Sequence, residues 1–243
     1  MIICENVPLT AVCPRTEPPP LEPGVAQVWL AKADQMTDEK CAELFEWLSP
    51  GERQKLDKFR RESDWQTFLL SHGLLRFLTG KFTGTSTPEQ IEFGAGDFGK
   101  PYLMAPPTPL SFNISHAHGR VAVAFVSGKT EIGIDLEKTT QNIDYQLITH
   151  HYFSTKEQKS LQSKTDFFRL WTRKEALLKW AGIGLTDDLP NLEVHCSGEP
   201  RSNDPRWAPF RQKTVFIRSH EMGEYIFSFA AERPLDIRFF EWI

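Results

Sequence analysis

The chain has 243 residues, 40% hydrophobic and 25% charged, with a formal net charge of −4. That length suffices for one large domain or two smaller ones, and that charge gives no general attraction to nucleic acid or to an anionic membrane. Cys4, Cys13, Cys41 and Cys196 form no CxxC pair, which argues against a zinc site or a disulfide framework and suits a reducing cytoplasm.

No apolar run approaches the length of a membrane span, and no basic-then-apolar leader stands at the start, so neither a span nor a secretory signal is predicted. Residues 1–24 hold six prolines, including the run "EPPPLEP", and read as an irregular, partly mobile arm. "VAQVWLA" (25–31) is a predicted strand. "TDEKCAELFEWL" follows as a helix with Thr37 as N-cap and Cys41, Leu44, Phe45 and Leu48 as its apolar stripe. Ser49, Pro50 and Glu52 then mark a second helix start. A third helical pattern runs from Ser63 to Thr79, where Gly80 is expected to end it. From Pro88 the chain turns extended: "IEFGAGDFGKPYL", then "LSFNIS", "RVAVAFV" and "EIGIDLE" as strands joined by short turns. "YQLITHHYF", "TKEQKSLQ" and "FFRLWTRKEALLKWA" are helical, the last stopping at Gly182. After Pro190 strands return as "LEVHC", "KTVFIRS", "YIFSFAAE" and "DIRFFEWI". Helices followed by strands thus occur twice. The prediction is an α+β chain with an arm (1–24), an N-terminal half (25–129) and a C-terminal half (130–243).

Three groups of residues bear on chemistry. In the last helix Glu175 falls on the apolar face, since Phe168, Trp171 and Leu178 project within roughly 60° of it. A carboxylate there needs a cation. Two readings supply one: Lys179 one turn on, or a metal ion. In "EIGIDLE", strand alternation puts Asp135 and Glu137 on one face, about 7 Å apart. That pair is either a solvated polar face or, with Glu175, a hard oxygen site suited to Mg²⁺ or Mn²⁺. In "FNISHAHG", His116 sits at a strand end beside Ser115 and Asn113. It is either a turn histidine or a donor to a phosphate. The basic run "ERQKLDKFRR" and Lys100 in "FGKP" are either solvated charges or a local patch for a polyphosphate ligand. Pro101 biases Lys100 toward an extended conformation, and so holds its ammonium out from the loop. No GxxxxGK[ST] motif is present, so a P-loop nucleotide site is unsupported.

"GKP" (99–101), "FNISH" (112–116), "GIDLE" (133–137) and "WTRKEALLKWAGIGL" (171–185) resemble, in order and spacing, the motifs of the Sfp-type 4′-phosphopantetheinyl transferases. The resemblance spans roughly residues 25–240. It implies a pseudo-dimer of two similar α+β halves, with coenzyme A and Mg²⁺ in a cleft between them. It implies attack by a serine hydroxyl of an apo carrier protein, acyl or peptidyl, on the β-phosphorus of CoA. Asp135, Glu137 and Glu175 match the family's metal carboxylates, Glu175 also its base, and Lys179 a lysine facing the phosphates. Lys55, Lys100, Pro101, Ser115 and His116 match CoA-contacting positions. A pseudo-dimer already holds both half-sites, so a monomer is expected. Two departures stand out. Several members carry an arginine where Gln66 and Thr67 stand, leaving Arg60, Arg61 and Arg76 as replacements, and Ala117 stands where many have serine. A rival reading keeps the metal and makes the chain a pyrophosphate hydrolase that needs no carrier protein.

Overall fold

The computed structural model describes residues 1–9, 11–195 and 205–243. In chain order the elements are β1 (Ile2–Asn6), β2 (Val12–Arg15), β3 (Val25–Lys32), α1 (Asp38–Trp47), α2 (Pro50–Leu56), α3 (Glu62–Thr83), β4 (Glu92–Ala95), β5 (Pro101–Ala105), β6 (Leu110–Ala117), β7 (Arg120–Ser127) and β8 (Ile132–Lys138). Then come α4 (Tyr145–Tyr152), α5 (Thr155–Ser160), α6 (Lys164–Ala181), α7 (Ala208–Gln212), β9 (Val215–Met222), β10 (Tyr225–Ala231) and β11 (Asp236–Trp242). Two compact units share them. One comprises Met1–Thr10, Asp97–Lys100 and Thr130–Leu235, the other Ala11–Gly96, Pro101–Lys129 and Asp236–Ile243. The α+β class is as expected.

In the unit that holds α3, a five-stranded sheet has the order β2-β11-β3-β7-β6. Local chemistry starts its helices as predicted. Thr37 accepts from the Lys40 amide at the head of α1, and Ser49 with Glu52 forms a complete capping box on α2. The Glu52 carboxylate also receives His72 and Arg76. Burial alone would raise its pKa, but the His72 bond, the Arg76 charge and Ser49 outweigh it and hold Glu52 down at about 2. The expected stop at Gly80 is corrected: α3 continues to Thr83 and closes on Gly84 in the left-handed conformation. Gly80 serves packing, because a Cβ there would lie 2.6 Å from the Trp47 ring.

In the other unit a four-stranded sheet has the order β1-β9-β10-β8, and α6 lies across it. Phe167, Phe168, Leu177 and Trp180 of α6 join Ile2, Ile217 and Ile226 in one buried cluster. Ser163 caps α6, and Gly182 ends it in the left-handed conformation, the stop that the sequence pattern predicts.

Three further expectations are corrected. Residues 1–24 are not devoid of elements. β1 pairs in parallel with β9, Ile2 opposite Val215, and β2 pairs in parallel with β11. Both partners lie more than 200 residues away, so no local pattern announces the pairing. β11, placed by sequence in the C-terminal half, belongs to the α3 unit. The predicted strand "LEVHC" is not one over residues 192–195, and its last residue, Cys196, lies outside the described residues. Side chains take the place of a neighbouring strand there. Lys174, fully buried, donates to the carbonyls of Leu189 and Leu192 and pairs with Glu157 at 2.9 Å, while Glu157 accepts from the Val194 amide at 2.7 Å.

Candidate active site

The site begins with a glycine. Strand alternation buries Ile132, Ile134 and Leu136 of β8 on one face and turns Gly133, Asp135 and Glu137 toward α6. A Cβ on Gly133 would lie 2.1 Å from the Ala176 carbonyl oxygen and 2.2 Å from the Trp180 amide nitrogen. The α6 backbone therefore rests on β8 at this point, a closeness only glycine permits. That contact brings Glu175 into the electrostatic neighbourhood of Asp135 and Glu137.

The three carboxylates are not equivalent. Asp135 is 5% exposed and accepts from the Lys179 ammonium at 2.8 Å. Glu137 accepts from the Gln141 amide at 2.8 Å and from Trp171. Burial and then the Asp135 charge push its pKa up to about 7, against the bonds from Gln141 and Trp171 and the pull of Lys179. Glu175 is likewise pushed up to about 7, by burial first and then by Asp135, with Lys179 opposing and Glu137 adding. Its Oε1 is buried with no hydrogen-bond partner among the described residues. Of the two readings of Glu175, the pair with Lys179 is thus not the ion pair that forms, since that ammonium bridges to Asp135.

Among the described residues, no group of three His, Cys, Asp or Glu side chains is gathered as a ready metal cage. Like charges separate when nothing positive lies between them, and Asp135 has turned to Lys179. The donor set nonetheless fits a hard divalent cation. Three carboxylates share one buried region, two of them lifted first by burial and then by the Asp135 charge, and one oxygen is left without a donor. Such a cation would need these side chains to close on it.

The other candidates are placed as follows. Lys100 is not held out from its loop, which corrects that expectation: its ammonium bonds Glu131 at 2.6 Å and the Trp180 carbonyl at 3.1 Å, where it meets the negative end of the α6 dipole. Pro101 opens β5. In the α3 unit, Ser115 is buried in β6 while His116, near that strand's end, and Lys55 on α2 are exposed. Arg76 is excluded as a replacement phosphate contact, being 5% exposed and bound to Glu52, Pro88 and Ile91; Arg60 and Arg61 are exposed. Gln66 and Thr67 bond within α3, to Glu62 and Ser63. Sequence reasoning placed Trp171 on the apolar face and missed its bond to Glu137. It passed over Gln141, which no motif marks.

Residues 131–230 match the family model of the 4′-phosphopantetheinyl transferase superfamily, and residues 34–128 match that of the 4′-phosphopantetheinyl transferase N-terminal region. A 4′-phosphopantetheinyl transferase of Bacillus subtilis is 34% identical over 195 residues, 77% of this chain and 83% of that one. The 4′-phosphopantetheinyl transferase Sfp of Bacillus subtilis (strain 168) is 32% identical over 183 residues, 70% and 79% of the two chains. The 4′-phosphopantetheinyl transferase HetI of Nostoc is 31% identical over 175 residues, 69% and 72%. No helix among the described residues is long and apolar enough to cross a membrane.

Proposed function

The chain belongs to the 4′-phosphopantetheinyl transferase superfamily, and on that premise we propose that it moves the phosphopantetheine arm of coenzyme A onto a serine of an apo carrier protein, using Asp135, Glu137 and Glu175 around a divalent cation. The serine oxygen attacks the β-phosphorus of CoA, the bond from that phosphorus to the bridging oxygen breaks, and adenosine 3′,5′-bisphosphate leaves. Mg²⁺ or Mn²⁺, when bound, supplies neutralisation of charge at the pyrophosphate. Glu175 accepts the serine proton at its bare Oε1, suited to that task by an affinity poised near neutrality. Lys179, one turn on, keeps a positive charge where the leaving phosphate gains negative charge. Lys55, Ser115 and His116 are proposed CoA contacts on their motif resemblance. The reading includes a cytoplasmic setting, which the thiols of Cys13 and Cys41 suit, and a monomer; the designation holo-acyl-carrier-protein synthase also belongs to it.

The observation that carries the proposal is the buried, unpartnered Glu175 oxygen among like charges. The test is incubation with CoA, Mg²⁺ and purified apo acyl or peptidyl carrier domains, read by intact mass. The carrier should gain one phosphopantetheine, about 340 Da, and excess EDTA should abolish the gain. Release of adenosine 3′,5′-bisphosphate with the carrier unmodified would establish the hydrolase instead; the relatives, all named transferases, lend that rival no support.

A further inference from the structure

One register row of the four-stranded sheet is polar from edge to edge. Asn6 of β1 stands opposite Ser219 of β9, Ser219 opposite Ser228 of β10, and Ser228 opposite Asp135 of β8. The row two residues along, Cys4–Ile217–Ala230–Gly133, is small and apolar. Buried polar groups cost free energy unless each is bonded, and here α6 bonds the whole row. Thr172 Oγ1 lies 2.8 Å from Ser228 Oγ, which lies 2.9 Å from Ser219 Oγ. Arg173, 3% exposed, donates from Nε to Ser219 Oγ at 2.9 Å and from Nη2 to Asn6 Oδ1 at 2.8 Å, and its Nη1 donates to the Val194 carbonyl. Lys179 completes the row at Asp135.

We propose that Asn6 and Arg173 are positioning residues, and that the N-terminal strand is a working part of the transferase. Residues 1–7 lie outside both ranges matched by family models. Arg173 and Glu175 are two positions apart, about 200° around the helix. Arg173 therefore anchors α6 toward one edge of the sheet, and Glu175 faces the carboxylates at the other. A roll of α6 by about 10° moves a side-chain tip, ~6 Å from the axis, by about 1 Å, a displacement that costs up to about a hundredfold in rate. The guanidinium, held by three neutral oxygens, sets that roll, and Asn6 is its outermost hold.

The inference rests on the transfer reading, and its test is built to fail separately. Asn6 is exposed, so Asn6→Ala disturbs no core. In the full chain with CoA, Mg²⁺ and an apo carrier domain, Asn6→Ala should lower kcat roughly 5- to 20-fold while KM for CoA stays within about twofold. Hydrogen exchange of the α6 amides 173–181 should quicken about threefold or more with Tm shifted by no more than about 2 °C. Asn6→Asp, which keeps an acceptor oxygen in place, should restore both. The neighbouring Glu5→Gln, whose carboxylate bonds Arg218, should behave as the parent. A kcat and an exchange pattern unchanged in Asn6→Ala would overturn the proposal, as would an Asn6→Asp no better than Asn6→Ala. Should the parent itself transfer nothing, the exchange comparison alone decides, and equal exchange in parent and Asn6→Ala overturns it.

Discussion

Glu175 shows how a single side chain couples stability to chemistry. A carboxyl lifted from 4.5 to about 7 holds its proton more tightly in the fold than in the unfolded chain. The advantage this gives the fold is complete below pH 4.5 and is lost as pH rises through about 7. Glu175→Gln makes the neutral form permanent. Without divalent cation, its Tm should equal the parent's near pH 4.5 and exceed it at pH 8, by the equivalent of roughly 1–2 kcal/mol, while phosphopantetheine transfer falls to background. Thermal scans at the two pH values, with a carrier mass assay beside them, check both halves; an equal Tm at pH 8 would mean that Glu175 carries no buried charge. The residue was singled out by helical periodicity alone. Its orphaned oxygen was not legible, because which partner Lys179 takes depends on a strand some 40 positions away.

At the scale of elements, the seat of α6 on β8 is one glycine wide. Gly133→Ala puts a methyl where the backbone of α6 runs, and backbone cannot swing aside as a side-chain tip can. The helix must lift, at a cost of about 1–3 kcal/mol, and Glu175 and Lys179 lift with it. Transfer should fall by about a hundredfold with a Tm lowered but a cooperative transition retained, measured by steady-state kinetics and calorimetry. Normal turnover in Gly133→Ala would show that the closeness of helix and strand is not needed. Two helix starts were readable from sequence because a cap is a contract among four consecutive residues: Thr37, and Ser49 with Glu52, bond as their patterns predict. The end of α3 was misread because Gly80 and Gly84 look alike in sequence, and only the Trp47 ring distinguishes a packing glycine from a capping one.

For the whole molecule, the chain's two ends belong to different units. The last strand, β11, runs between β2 and β3 and buries Phe239, Phe240 and Trp242, with Phe240 stacked on Trp29 at 4.8 Å. Each such ring contributes about 1.5–3 kcal/mol on burial, and their sum rivals the entire stability of a domain, about 5–15 kcal/mol. Deleting residues 236–243, which both family ranges omit, should therefore unfold the α3 unit, seen as lost protection of α3 and β7 amides in hydrogen exchange. Retained protection would show that β11 is an accessory edge.

Sequence by itself determined the family, the α+β class, the helix caps and the two motifs, "GIDLE" and "WTRKEALLKW", that carry the carboxylates. These are local: a cap spans four residues, an alternating face five, and a motif's spacing is preserved in the chain itself. Tertiary structure alone decided that Lys179 bonds Asp135, that Arg76 is spent inside a capping network, and that Lys100 caps a helix. It also made strands of residues 2–6 and 12–15. Each of those outcomes is a choice among partners distant in the chain, settled by which groups are buried side by side, and no periodicity in the sequence records that choice.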